Sequence, residues 1–375
     1  MRIGVVGFSA IGGSGVIAQE LAVGLAERGH EVHLFVPAPP ARSVEPRARL
    51  SLHVVDAPAH PALAHPPYAL ALASRLIEVG REVDLDLVHV HYAVPHAASA
   101  LLAAHALAGR APPIVVTLHG TDVTQVGADP AYHAVIAHAL RAAGARSVPS
   151  AYLARRAREV FGLDDAIDVI PNFVDLERFR PAPRDLSLLQ DLFPGIEADA
   201  PVLAHVSNFR PVKRPTDLVE VLARVRRQLP ARMLFVGDGP ERVATEAHAR
   251  ALGLEGAVRF VGERADHAAL LRQADLFVLT SEDESFGLAA LEAMACGVPV
   301  VAYRVGGLEE VVGEDAGVLV DPFDPDALAE AALRILAGER ASMASAARAR
   351  AEHYRRAPAI DRYEALYARV MGGRG

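Results

Sequence analysis

The chain of 375 residues is long enough for two domains with separate cores, and 51% hydrophobic with 22% charged residues marks it as globular. A formal charge of −8 and the lack of a long basic run argue against a broad nucleic-acid or anionic-membrane surface, while leaving room for a local basic pocket. One cysteine, Cys296, excludes an intrachain disulfide and cysteine-rich zinc sites and fits a reducing cytoplasm, and the absence of Trp removes the usual stacking platform.

The first segment, "MRIGVVGFSAIGG", has the Arg-then-apolar look of a signal peptide, but glycines interrupt it and a buried first strand fits better. Strands are expected at "RIGVVGF", "EVHLFVP", "LSLHVVD", "LDLVHVHY", "PIVVTLH", "ARSVPS" and "IDVIPN". Amphipathic helical stretches lie between most of them, such as residues 14–29, which close on Gly29. Residues 173–200 hold prolines and charges without a clean period and read as a linker. Alternation then restarts with "PVLAHVS", "ARMLFVG", "AVRFVG", "DLFVLT", "VPVVAY" and "GVLVD". Apolar strands alternating with helices mean parallel sheets covered on both faces. The expected architecture is α/β, with Rossmann-like domains at 1–172 and 201–356 facing each other across a cleft. A last helix at 357–375 is expected to pack back toward the first domain. No uncharged apolar stretch is long enough to cross a bilayer, so a soluble cytoplasmic protein is expected.

Ligands of such sheets bind at the carboxyl ends of the strands, so the loops there carry the chemistry. After the first strand, Gly12, Gly13 and Gly15 permit a tight turn, and Ser14 and Gly15 open a helix whose N-terminus favours an anion. A plain tight turn explains the same residues. His89 and His91 alternate along one strand and share a face. With His119 and Asp122 they could form a metal set, although structural or substrate-contacting histidines explain them as well. The "DLD" at 84–86 resembles an Asp-x-Asp metal motif but precedes a buried strand, where surface capping is the better reading. In "TLHGTD", His119 sits at a strand end with Thr121 and Asp122 in the same loop. In "SNFRPVKR", Arg210, Lys213 and Arg214 fall in one turn, a site suited to a diphosphate.

The stretch from Glu284 to Tyr303 is apolar except for Glu284 itself and Glu292. A helix is expected from near Phe286, with Leu288, Leu291 and Ala295 on its apolar stripe. Gly287 in its first turn costs about 1 kcal/mol relative to Ala, which suggests a ligand approaching the helix start. Glu292, two turns in, needs solvent or hydrogen-bond donors such as sugar hydroxyls.

Glu284 and Glu292 form E-x7-E. With "SEDESFGLAALEAMACGVPVVAYRVGGLEEVV", "FVGDGPER", "TLHGTD", the basic turn and the glycine loop, this is similar to the retaining glycosyltransferases of family 4, over essentially the whole chain. Within that family, "GGSGV", "HYAVPHA", "TLHGTDVT", "IPNFVD" and "SNFRPVKR" resemble the N-acetylglucosaminyl malate synthases that begin bacillithiol assembly. The resemblance implies the GT-B fold, UDP-N-acetylglucosamine as donor, L-malate as acceptor, an α-glycoside product, and neither metal nor cofactor. By motif, Glu292 would hold the uridine ribose. Glu284 would contact the donor sugar, and the amides of Phe286, Gly287 and Leu288 would support sugar and diphosphate. Lys213, with Arg210, would neutralise the leaving diphosphate, Gly13 would close over it, and His119 would meet the sugar near its reacting carbon. Many members have G-R-L where this chain has "S-N-F", so Asn208 stands in place of an Arg and Arg210 is the candidate substitute. Ser14, Gly15, Tyr92 and Thr121 are the candidates for the acceptor. A homo-oligomer is compatible with this reading. The rival readings are another small acceptor, an epimerase of the same donor on the same fold, a nucleotide-binding sensor without turnover, and a metal hydrolase built on His89 and His91.

Overall fold

The computed structural model describes residues 1–8, 13–39, 48–163, 166–264 and 266–373. It comprises two units, Met1–Asn172 with Arg356–Gly375, and Phe173–Arg355.

In the first unit, β1 (Arg2–Val6), β2 (Glu31–Val36), β3 (Leu50–Val54), β4 (Leu87–His91), β5 (Ile114–Thr117), β6 (Ala145–Val148) and β7 (Asp168–Val169) form one sheet in the order β3-β2-β1-β4-β5-β6-β7. All pairs are parallel. The inner strands β4, β5 and β6 are buried along their whole length, which is why they read as β-branched runs and not as alternation. Helices cover them with ordinary caps. Helix Ala151–Phe161, for example, starts on Ser150, whose side chain accepts from the Leu153 amide, and stops at Gly162 in the left-handed region at φ 58°. A Cβ on Gly7, just after β1, would lie 2.6 Å from the Ala18 Cβ, so a glycine is needed for the first helix, Gly13–Glu27, to lie close to the strand.

The second unit repeats the plan. Strands β8 (Val202–Val206), β9 (Arg232–Val236), β10 (Val258–Phe260), β11 (Leu276–Leu279), β12 (Val300–Tyr303) and β13 (Gly317–Val320) order as β10-β9-β8-β11-β12-β13, all parallel. Leu276 and Phe277 on β11 are fully buried, each worth about 1.5–3 kcal/mol of hydrophobic stabilisation. In both sheets the chain builds outward on one side and then crosses to the other. The strand order therefore reverses between β1 and β4 and between β8 and β11, and the loops at those carboxyl ends splay apart to leave a crevice.

All thirteen strands fall where the β-branched runs place them. Residues 173–200, read from the sequence as a linker, instead form part of the second unit. Helix Leu186–Leu192 is capped by Asp185, and Leu189, Phe193, Ile196 and Ala200 are buried with Val202, Leu234 and Val236. Their spacing is irregular because the segment is helical only in part. The final helix, Arg356–Gly372, belongs to the first unit. A Cβ on Gly24 would lie 2.2 Å from Ile360 Cδ1, Arg28 pairs with Asp361 at 2.7 Å, and Tyr363 and Tyr367 are buried.

Candidate active site

At the carboxyl end of β8 the backbone turns through Ser207–Arg210 into a 3-10 turn, Pro211–Lys213. Lys213 Nζ donates to Glu284 Oε1 at 2.5 Å, and the Ser281 hydroxyl donates to the same oxygen at 2.8 Å. Cation and carboxylate, 71 residues apart in sequence, are thus neighbours across the switch point, with side chains only 19% and 12% exposed. Two further residues hold these loops in register. The Thr280 hydroxyl reaches the carbonyl oxygens of Lys213 and Arg214, each at 3.0 Å. His205 on β8 donates from Nδ1 to the Val278 carbonyl on β11 at 2.9 Å and lies 2.8 Å from Ser207 Oγ through Nε2. Burial pushes His205 down to about 4, so the ring is neutral near pH 7 and acts as a hydrogen-bonded spacer.

Three expectations about this loop change. Arg214 does not join Lys213. It pairs with Asp217 at 2.8 Å and Glu282 at 3.2 Å and stacks over Phe323, while Tyr303 completes the Asp217 shell at 3.0 Å. Gly287 is not inside the helix, which runs from Leu288 to Ala295. It is the residue before it, at φ +95°, where an added Cβ would lie 2.4 Å from Leu308 Cδ2. Its glycine identity therefore follows from backbone conformation and packing, with no ligand required. The Glu292 carboxylate, buried as expected, is supplied by the protein with a donor, since His267 Nε2 lies 2.8 Å from its Oε2. Phe286 buries its ring edge-on to Tyr354, so only its backbone is available to a ligand, and Leu288 stands at the helix start. Asn208 is exposed and Arg210 half-buried in the turn before Lys213.

Close backbone approach explains two further glycines of this unit's loops. A Cβ at Gly239 would lie 2.0 Å from the Asn208 carbonyl oxygen and one at Gly306 would lie 2.0 Å from that of Glu284. The "FVGDGPER" and "RVGGLEE" stretches thus buttress from behind the loops that carry Asn208 and Glu284.

The first unit places His119, Thr121 and Tyr92 at the ends of β5 and β4 and Gly13, Ser14 and Gly15 at the start of the first helix. Gly13 is exposed and Gly15 buried, whereas Gly12 lies outside the described residues. Asp122, expected to add a polar group to the His119 loop, is fully buried and accepts from the amides of Ala93, His119 and Gly120 at 2.8–2.9 Å. It fastens the loop after β5 to the loop after β4 and is consumed in doing so. Burial raises its pKa while these amides oppose the rise. The histidines form a row, with His89 and His91 buried and His119 half-buried. His89 contacts Tyr367 Oη and Thr117 Oγ1, each at 2.7 Å, its ring lies 4.3 Å from that of His91, and His91 Nδ1 lies 3.0 Å from His119 Nε2. Burial lowers His89 and His119 to about 3 and His91 well below its ordinary value, so all three are neutral near pH 7. Among the described residues no group of three His, Cys, Asp or Glu is arranged to hold a metal ion. Asp84 and Asp86 sit at the opposite, amino end of the sheet, within 3.6 Å of the Arg2 guanidinium.

Residues 11–178 match the family model for Glycosyltransferase Family 4, and residues 192–352 match that for Glycosyl transferases group 1. The chain is 37% identical over 375 residues to an N-acetyl-alpha-D-glucosaminyl L-malate synthase of Bacillus anthracis, covering 99% of this chain and 97% of the relative. The chain belongs to this glycosyltransferase family. It is also 34% identical to a D-inositol 3-phosphate glycosyltransferase of Xylanimonas cellulosilytica, over 92% of this chain and 88% of that protein. In fold, this glycosyltransferase is similar to the sucrose-phosphate synthase of Thermosynechococcus elongatus, with TM-score 0.83, 24% identity and full coverage of both chains. Anabaena Alr3699/HepE in complex with UDP-glucose gives TM-score 0.81 at 24% identity, over 98% of this chain and all of that one.

In this glycosyltransferase, sequence reasoning named the two glutamates, Lys213 and His119 as candidates but missed the residues that hold the glutamates and Lys213. His205 carried a signal, a polar residue inside an otherwise apolar strand run. Thr280 and His267 carried none, because their partners lie 67 and 25 residues away. No helix among the described residues is long and apolar enough to cross a membrane.

Proposed function

We propose that this glycosyltransferase moves N-acetylglucosamine from UDP-N-acetylglucosamine to the hydroxyl of L-malate, with retention at the sugar carbon, without metal, in the cytoplasm. The reading is carried by 37% identity over nearly the full length to the malate synthase of Bacillus anthracis. It is supported by the meeting of Lys213 and Glu284 at the β8–β11 switch point.

In this reading the bond from the sugar carbon to the diphosphate oxygen breaks, and a bond to the malate hydroxyl oxygen forms on the same face. The hydroxyl proton passes to the departing phosphate oxygen, and UDP leaves. The negative charge that develops there needs preorganised cations and N–H groups. Lys213, with Arg210, supplies the charge, and the amides of Phe286, Gly287 and Leu288 and the exposed Gly13 supply donors. Glu284 keeps Lys213 in place and meets the sugar hydroxyls, Glu292 takes the ribose, and His119 borders the reacting carbon. Gly15, Ser14, Tyr92 and Thr121 border the acceptor, and Asn208 lines the donor turn. The low pKa of His119 makes it a neutral hydrogen-bonding group near pH 7. The independence from metal is supported by Asp122, whose carboxylate is spent on three backbone amides.

The test is UDP release from UDP-N-acetylglucosamine with L-malate in EDTA, with proton NMR of the product's anomeric proton. Release that depends on malate and gives the α-glycoside supports the reading. Release only with another acceptor overturns the malate assignment, and sugar conversion without any acceptor points to an epimerase.

A further inference from the structure

Among the described residues, six buried side-chain polar atoms of the first unit have no hydrogen-bond partner, and three of the six are Tyr68 Oη, His91 Nε2 and His96 Nε2. These three come from one neighbourhood. Tyr68 opens the helix Tyr68–Val83, His91 ends β4, and His96 lies in the first turn of the helix Ala93–Leu107. The Tyr68 and His96 rings are 6.2 Å apart, edge to face, and Phe8, following β1, lies 4.5 Å from His96 and 5.1 Å from Tyr92. This is the carboxyl side of β1 and β4, the switch point where an open α/β sheet receives its ligand. A buried polar atom left unpaired is costly, and three together in a native fold call for a partner.

The chemistry of that partner follows from the bonds already made. His96 Nδ1 donates to the His91 carbonyl at 2.6 Å, so the neutral ring offers Nε2 as an acceptor. Burial lowers His96 to about 4 and raises the Tyr68 hydroxyl to about 12, so near pH 7 the ring stays neutral and the phenol keeps its proton. The set therefore presents one firm donor, one firm acceptor and the second nitrogen of His91, whose first nitrogen shares a hydrogen bond with His119.

We propose that Tyr68, His91 and His96 form the acceptor subsite, taking a small hydroxy-carboxylate. The Tyr68 hydroxyl donates to a carboxylate oxygen, and His96 Nε2 accepts from the ligand's hydroxyl in the bound ground state, before that proton turns to the departing phosphate oxygen. His91 joins this subsite to His119, beside the proposed sugar position. The inference deepens the proposed transfer to malate and rests on that reading.

Tyr68→Phe removes only the unpaired hydroxyl. His96→Asn keeps a side-chain N–H near the His91 carbonyl and removes the unpaired nitrogen. Both variants are expected to fold, with melting temperatures equal to or above that of the wild type. Each is expected to raise the KM for malate about tenfold, the worth of one hydrogen bond, with the KM for UDP-N-acetylglucosamine within about twofold. Succinate, which lacks the hydroxyl, separates the two contacts when used as a competitor: Tyr68→Phe weakens its inhibition and His96→Asn does not. An unchanged malate KM in both variants overturns the subsite and assigns these atoms to internal water. If the wild type ignores malate but uses another acceptor, the functional reading fails by itself. The same variants are then measured with that acceptor, and an unchanged KM overturns the subsite as well.

Discussion

The two units share one strand order and differ in the chemistry at their carboxyl ends. The second unit builds its loops with full charges held in pairs, Lys213 with Glu284 and Arg214 with Asp217, and rests the Glu292 carboxylate against the His267 ring. The first unit uses rings that desolvation keeps neutral, His89, His91, His96 and His119, and one carboxylate, Asp122, turned onto backbone amides. The contrast matches what each unit is proposed to hold. A diphosphate needs counter-charge, and a preorganised ion pair provides it at low reorganisation cost. A small acceptor is distinguished by where its oxygens lie, which neutral donors and acceptors read by direction.

The largest effect that sharpens this contrast is expected from the charged unit. Glu284→Gln should lower turnover by about 10²–10³-fold, the range seen when one electrostatic group is removed from an active site, with a much smaller change in melting temperature. Steady-state UDP release alongside thermal unfolding measures both, and unchanged turnover removes Glu284 from the site. In the first unit the largest loss should be of stability. Asp122→Ala strands three amides, two of them in buried bonds, and is expected to cost about 3 kcal/mol, roughly 6–12 °C in a unit of this size. A melting temperature unchanged by Asp122→Ala would mean that water serves those amides.

The pH dependence of stability divides the units next. An unfolded histidine titrates near 6.5. Folded His53 and His96 are lowered to about 4 and His89 and His119 to about 3, with His91 also far down, all in the first unit. Only His205 is shown to be lowered in the second. Below about pH 6.5 the unfolded chain binds protons that the folded rings refuse, so their stabilisation is complete above that pH and is lost as pH falls toward 4 and 3. Hydrogen exchange followed from pH 7 to 4.5 should show β4 and β5 losing protection before β8 and β11, and the reverse order would break the comparison. The smallest effect is expected at Cys296, buried and with its thiol pushed up to about 12, hence inert as a nucleophile. Cys296→Ala should leave turnover within about twofold, and a thiol reagent should not inactivate the native enzyme.

Much of this was legible locally. A buried parallel strand must be apolar along its length, so thirteen short β-branched runs located both sheets. Loops at strand ends then located Lys213, Glu284 and His119. The misreadings share a cause. Gly287 looked like a weak point in a helix because its left-handed φ and its contact with Leu308 are not visible in a linear pattern. Arg214 looked like a partner of Lys213, but residues one apart in a tight turn point in different directions. The 173–200 segment looked like a linker because its buried apolar residues find their partners on β8 and β9, not on a regular face of their own.

The sequence alone determined the class of the sheets, their repetition and the loops on which charge would gather, since burial and period are properties of neighbours along the chain. Only the tertiary structure decided which groups meet. Glu284 meets Lys213, Glu292 meets His267, Asp122 meets three amides, and Tyr367 of the last helix meets His89 in the first sheet. A hydrogen bond depends on direction and on a distance near 3 Å, and the chain between its partners carries no record of either.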